Sequence, residues 1–132
     1  DNFEKAEKHL EQYVKADPAA VDDRIHLISI YNQQKEYDKA IDQCMKILEV
    51  DPGHFHAHNI LATLYREKGN IDKSVEMLKK AVEIKPDHLP GFRQLVKLLI
   101  NQGRLDEARD YALKLREKGE KIPQQIKNLL NI

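Results

Sequence analysis

The chain has 132 residues, enough for one domain, with 22 basic and 22 acidic side chains and a formal net charge of zero. A neutral chain has no long-range field to draw in a polyanion, so nucleic acid is not the expected partner. The single cysteine, Cys44, excludes an internal disulfide and fits a reducing, cytoplasmic setting, and no apolar run approaches the roughly 20 residues that span a bilayer, so membrane insertion is not expected either.

In chain order, Phe3, Leu10 and Tyr13 give the first apolar stripe at helical spacing, within residues 1–20. After Pro18, Leu27, Ile30 and Tyr31 fall at i, i+3 and i+4 and predict a second helix; Tyr37, Ala40, Ile41, Cys44, Ile47 and Leu48 predict a third. After Pro52 the pattern returns, with Leu61, Leu64 and Tyr65, then Ile71, Ser74, Val75, Leu78, Ala81 and Val82. After Pro86, Leu95, Leu98 and Leu99 open another round, whose second helix carries Arg109 and Arg116 where the earlier rounds have Ile41 with Leu48 and Val75 with Val82. Beyond Pro123, Ile126, Leu129 and Leu130 form a short amphipathic stripe, expected to be a capping helix.

The rounds are a repeat. Pro18, Pro52 and Pro86 stand 34 residues apart, as do Leu27, Leu61 and Leu95, then Tyr31 and Tyr65, then Gly69 and Gly103. Ala6, Ala40, Ser74 and Ala108 form a column of small residues. Each proline is expected in the first turn of a helix, where its missing N–H costs nothing. Gly69 and Gly103 are expected to end first helices in a left-handed turn, and Lys35, in the same column, predicts a looser turn there. Asp38, Asp72 and Asp106 fall in the first turns of second helices, where the helix dipole favours negative charge.

This period, the paired helices, the small-residue column and the proline between hairpins resemble the tetratricopeptide repeat family over nearly the whole chain. The resemblance implies a right-handed superhelical α-solenoid of antiparallel helix pairs. In its register, residues 1–20 are a half repeat, 21–54 and 55–88 full repeats, 89–122 a diverged repeat and 123–132 the capping helix, together a C-terminal piece of a longer array. The helix that should cover Phe3, Leu10 and Tyr13 is then missing, leaving an apolar edge open to self-association.

The family binds peptides or helices on a concave face lined by first helices. By resemblance, the partner-binding residues here are Ile25, His26, Ser29, Asn32, His56, Asn59, Ile60, Thr63, Arg66, Arg93, Gln94 and Lys97. They are mostly polar, suited to adaptable hydrogen bonding, and Arg66, Arg93 and Lys97 give one end a basic character. Family members that hold the acidic C-termini of heat-shock chaperones use lysines, asparagines and an arginine, where this chain has Ile25, Ser29, Ile60, Pro90 and Gln94. That signature is absent.

The segment GHFHAHN places His54, His56 and His58 at alternating positions. On a helix, His54 and His58 share a side while His56 points away by roughly 160 to 200 degrees, so one ion cannot engage all three. His58 falls in the packing column of Arg24 and Phe92, and His56 belongs to the groove, where stacking would bring it towards His26. Two imidazoles make a weak site, since catalytic zinc typically takes three protein ligands. No phosphate-binding glycine loop or nucleophile elbow occurs, and Cys44 lies on an apolar stripe. Carboxylates such as Glu4 and Glu76 are expected to pair with Lys8 and Lys80 at helical spacing. Metal, cofactor and catalytic roles are therefore not expected. The expected function is a non-enzymatic module binding a protein or peptide segment, the alternative a self-assembling scaffold using its N-terminal edge to form a homo-oligomer.

Overall fold

The computed structural model describes residues 2–132. Its regular elements are the helices α1 (Asn2–Ala16), α2 (Val21–Gln33), α3 (Tyr37–Val50), α4 (Phe55–Glu67), α5 (Ile71–Ile84), α6 (Leu89–Asn101), α7 (Leu105–Glu117) and α8 (Gln124–Leu130). Among the described residues there is no strand. Consecutive helices make the principal packing contacts throughout, so the hairpins α2–α3, α4–α5 and α6–α7 stack in chain order as an all-α solenoid.

The prolines do different work from that expected. Pro18, Pro52 and Pro86 each precede their helix by three residues, in a tight turn closed by Ala20 N–H to the Asp17 carbonyl at 3.2 Å, His54 N–H to Asp51 at 3.1 Å and His88 N–H to Lys85 at 3.1 Å. Proline is thus the second residue of a four-residue turn, where its fixed φ is already correct. It is Pro90 that occupies a first helical turn, that of α6.

The turns within hairpins also differ at one place. The Asn70 N–H reaches back to the Tyr65 carbonyl at 2.8 Å and that of Arg104 to Leu99 at 2.9 Å, around Gly69 at φ 89° and Gly103 at φ 72°. The turn at Lys35 is not looser. Glu36 N–H meets the Tyr31 carbonyl at 2.8 Å and Lys35 itself takes φ 59°, so packing of α2 on α3 imposes the glycine geometry on a residue with a Cβ.

Hairpin packing depends on the small column. Ala40, Ser74 and Ala108 are fully covered, and Ser74 Oγ donates to the Ala62 carbonyl at 2.6 Å across the α4–α5 contact. Ala6 is exposed. One core cluster joins Val14, Leu27, Tyr31, Cys44, Ile47 and Leu61; another joins Val75, Leu78, Phe92, Leu95, Leu99 and Leu130. Leu10 packs against the first of these because it faces α2, which leaves Phe3 and Tyr13, 58% and 50% exposed, as the open apolar edge.

Candidate functional site

The first helices α2, α4 and α6 share one face. Between them lies a hollow of about 440 Å³ lined by Ile25, Ile28, Ser29, Asn32, His56, Asn59, Ile60, Thr63, Leu64 and Gln94. Eight of the twelve residues expected from sequence meet there: Ile25, Ser29, Asn32, His56, Asn59, Ile60, Thr63 and Gln94. Ile28 and Leu64 complete its floor. They belong to the apolar columns that pack helices together, so nothing in their spacing marks them as reaching a surface.

The hollow's polar groups are largely unspent. Thr63 Oγ1 donates to the Asn59 carbonyl one turn earlier at 3.3 Å. Among the described residues the side chains of Ser29, Asn32, Asn59 and Gln94 make no intramolecular hydrogen bond, whereas those of Gln34, Gln43, Gln102 and Gln124 are engaged. An amide offers one acceptor and two donors, so Asn59 alone can pair with both groups of a backbone peptide unit.

The other four expected residues lie elsewhere. His26 is exposed outside the hollow. Arg66 pairs with Glu67 at 3.6 Å and Arg93 with Glu120 at 3.0 Å, so both cations are compensated within the chain. Arg93 and Lys97 line a separate hollow between α6 and α8. The basic end of the face is therefore narrower than the sequence implies, because α8 brings up the loop that carries Glu120.

The three histidines of GHFHAHN take three separate duties. His54 Nδ1 accepts the Ala57 N–H at 3.1 Å and caps α4. His56 faces the hollow. His58 is buried and its Nε2 donates to the Pro52 carbonyl at 3.0 Å, fixing the turn that precedes its own helix. The column of Arg24, His58 and Phe92 is buried in all three hairpins. Burial pushes the Cys44 thiol up to about 12, away from nucleophilic use.

Two family models described as tetratricopeptide repeat match residues 24–87 and 65–131, the second covering just over half of the chain. A crystal structure of MamA is 25% identical, with a TM-score of 0.76, over 86% of this chain and 66% of that one. The chain thus spans slightly less than two thirds of that protein. Another MamA structure is 23% identical with a TM-score of 0.76, over 98% and 68% of the two chains. MamA from Desulfovibrio magneticus RS-1, residues 41 to the end, is 17% identical with a TM-score of 0.73, over 89% and 67%. No curated protein matches the chain. The chain belongs to the tetratricopeptide repeat family.

Proposed function

We propose that the face formed by α2, α4 and α6 holds a segment of a partner protein, extended or helical, across the repeats 21–54, 55–88 and 89–122. The observation that carries this reading is the set of uncommitted hydrogen-bonding side chains, Ser29, Asn32, Asn59 and Gln94, around the apolar floor of Ile25, Ile28, Ile60 and Leu64. Aliphatic contact supplies burial and the amides supply register on a peptide backbone. No catalytic step is part of this reading, and with a balanced charge single-stranded RNA is not an expected ligand.

A photo-cross-linking residue placed at Ser29, and separately at Gln94, tests it. Both positions should label one continuous segment of the same partner, and Asn59→Ala combined with Ile60→Glu should abolish the labelling. The reading fails if the labelled peptides match those obtained from the exposed Met45 on α3.

A second reading rests on Phe3 and Tyr13, whose exposure on α1 favours association between copies of the chain. Sedimentation velocity over a wide concentration range should then show association that Phe3→Glu with Tyr13→Glu removes. A monomer at every concentration eliminates it.

A further inference from the structure

The concave face ends in a second hollow with a different chemistry. It encloses about 450 Å³ between α6 and α8, and its walls include Val96, Ile100, Leu115, Ile122, Ile126 and Leu129. Val96, Lys97 and Ile100 lie two repeat periods after Ile28, Ser29 and Asn32, so the same register of a first helix builds both hollows. Where the first sets hydroxyls and amides around an aliphatic floor, the second is mainly aliphatic, with Asn101 and Gln125 as its amides. α8 anchors itself with Leu130, which is fully buried, and through Arg109 Nε, which donates to the Leu130 carbonyl at 2.7 Å. Leu129 is not needed for that anchoring. It is 46% exposed and contributes to the wall of the hollow.

The rim is basic. Arg93, Lys97 and Lys121 line it with Glu120 as the one acid, which Arg93 already engages; among the described residues Lys97 and Lys121 pair with no carboxylate. A ligand that fits must bring apolar side chains for the walls and negative charge for these two lysines. The exposed face of α1 from a second copy meets only half of that requirement. Its Phe3 and Tyr13 are apolar, but α1 balances Glu4, Glu7 and Glu11 with Lys5, Lys8 and Lys15.

We infer that the α6–α8 hollow docks an acidic amphipathic segment of a partner protein, its apolar side chains seated against Ile100, Ile126 and Leu129 and its carboxylates against Lys97 and Lys121. This rests on the concave face being the partner surface and names the chemistry recognised at one end of it. The α2–α4 hollow sets the register of the segment through its backbone, and the α6–α8 hollow selects its side chains.

The test uses the whole chain and two labelled synthetic helical peptides of roughly 15 residues, with leucines at i, i+3, i+4 and i+7 and either glutamates or lysines between them. By fluorescence anisotropy the glutamate peptide should bind about tenfold more tightly than the lysine peptide. Lys97→Glu with Lys121→Glu, both exposed, should reverse that preference, and Leu129→Glu should weaken the glutamate peptide by about tenfold. Met45→Glu, exposed on α3 and lining neither hollow, should leave it unchanged. Equal affinity for both peptides, binding of neither, or indifference to the Leu129 and lysine substitutions overturns the inference. Loss on Ile60→Glu alone would move the peptide to the α2–α4 hollow, which refutes this inference and leaves the proposed function standing. Association of the wild-type chain that Leu129→Glu abolishes makes a second copy the occupant and also overturns it. Labelling from Ser29 and Gln94 that fails, beside binding that depends on Leu129, refutes the polar groove alone.

Discussion

Two residues carry costs that neighbouring hairpins avoid. Lys35 holds φ 59° where Gly69, Gly103 and Gly119 hold the same left-handed conformation. A Cβ there crowds the following carbonyl by about 1 kcal/mol or slightly more. Lys35→Gly is therefore expected to stabilise the fold by about 1 kcal/mol in urea unfolding, and an unchanged midpoint would mean that the turn relaxes around lysine. Arg24 is 5% exposed and has no carboxylate partner among the described residues. Its Nη1 donates to Gln43 Oε1 at 2.7 Å and its Nη2 to the Val14 carbonyl at 3.1 Å, while its Nε has no partner. The helical partner of that carbonyl would be the N–H of residue 18, which is a proline, so the guanidinium supplies the missing donor beside the negative end of the α1 dipole. Arg24→Met keeps the volume yet leaves two acceptors unpaired, and should cost about 2 kcal/mol in the same measurement. Spacing identifies Arg24, His58 and Phe92 as one packing column. It cannot reveal that the first of them serves a helix end, because the need arises from a proline in the turn that follows α1.

At the scale of the element, periodicity makes the helices legible. Small residues at one column and aliphatic residues at fixed offsets define the faces before any contact is known, and the turns follow from glycine. Ion pairing is not legible in the same way. Neither Glu4 with Lys8 nor Glu76 with Lys80 is among the ion pairs of the described residues. Two pairs of the described residues join successive hairpins: Lys68 of the α4–α5 turn with Asp38 of α3, and Lys79 of α5 with Glu107 of α7. Their partners are about one repeat away in sequence and adjacent only once the hairpins stack. Glu107 also accepts from Arg104 Nε at 2.8 Å and Nη2 at 3.0 Å. The Arg104 hydrogen bonds and then Lys79 lower the Glu107 carboxyl from 4.5 to about 2. A depressed folded value stabilises above the unfolded value and is lost as pH falls through the folded one, so the contribution is full above about 4.5 and fades towards pH 2. The site is partly solvated, with Glu107 40% exposed, which limits its worth to about 1 kcal/mol or less. Glu107→Gln should flatten the stability profile between those two pH values while leaving the profile above 4.5 parallel to wild type.

Over the whole molecule, stacking in chain order means that cooperativity passes only through neighbours. The two core clusters are centred on α1–α4 and α5–α8, and Met77 packs against both. Cys44 lies in the first, fully covered, its thiol raised to about 12, so it reacts with a thiol reagent only when α3 separates from its neighbours. Leu99 lies in the second and is also fully covered. Leu99→Ala removes about 3 kcal/mol of packing from α6. If the clusters behave as coupled but separable units, this substitution should lower the urea concentration at which the α5–α8 half unfolds, while Cys44 labelling keeps a midpoint close to that of wild type. Leu27→Ala, in the cluster of Cys44 itself, should bring thiol labelling forward by the full loss of stability. Equal advancement of Cys44 labelling by both substitutions would mean that the interface around Met77 is strong enough to make the array a single cooperative unit. In that case a partner bound at the α6–α8 end would stabilise α1 as effectively as α8, whereas separable halves confine such stabilisation to the end where the partner sits.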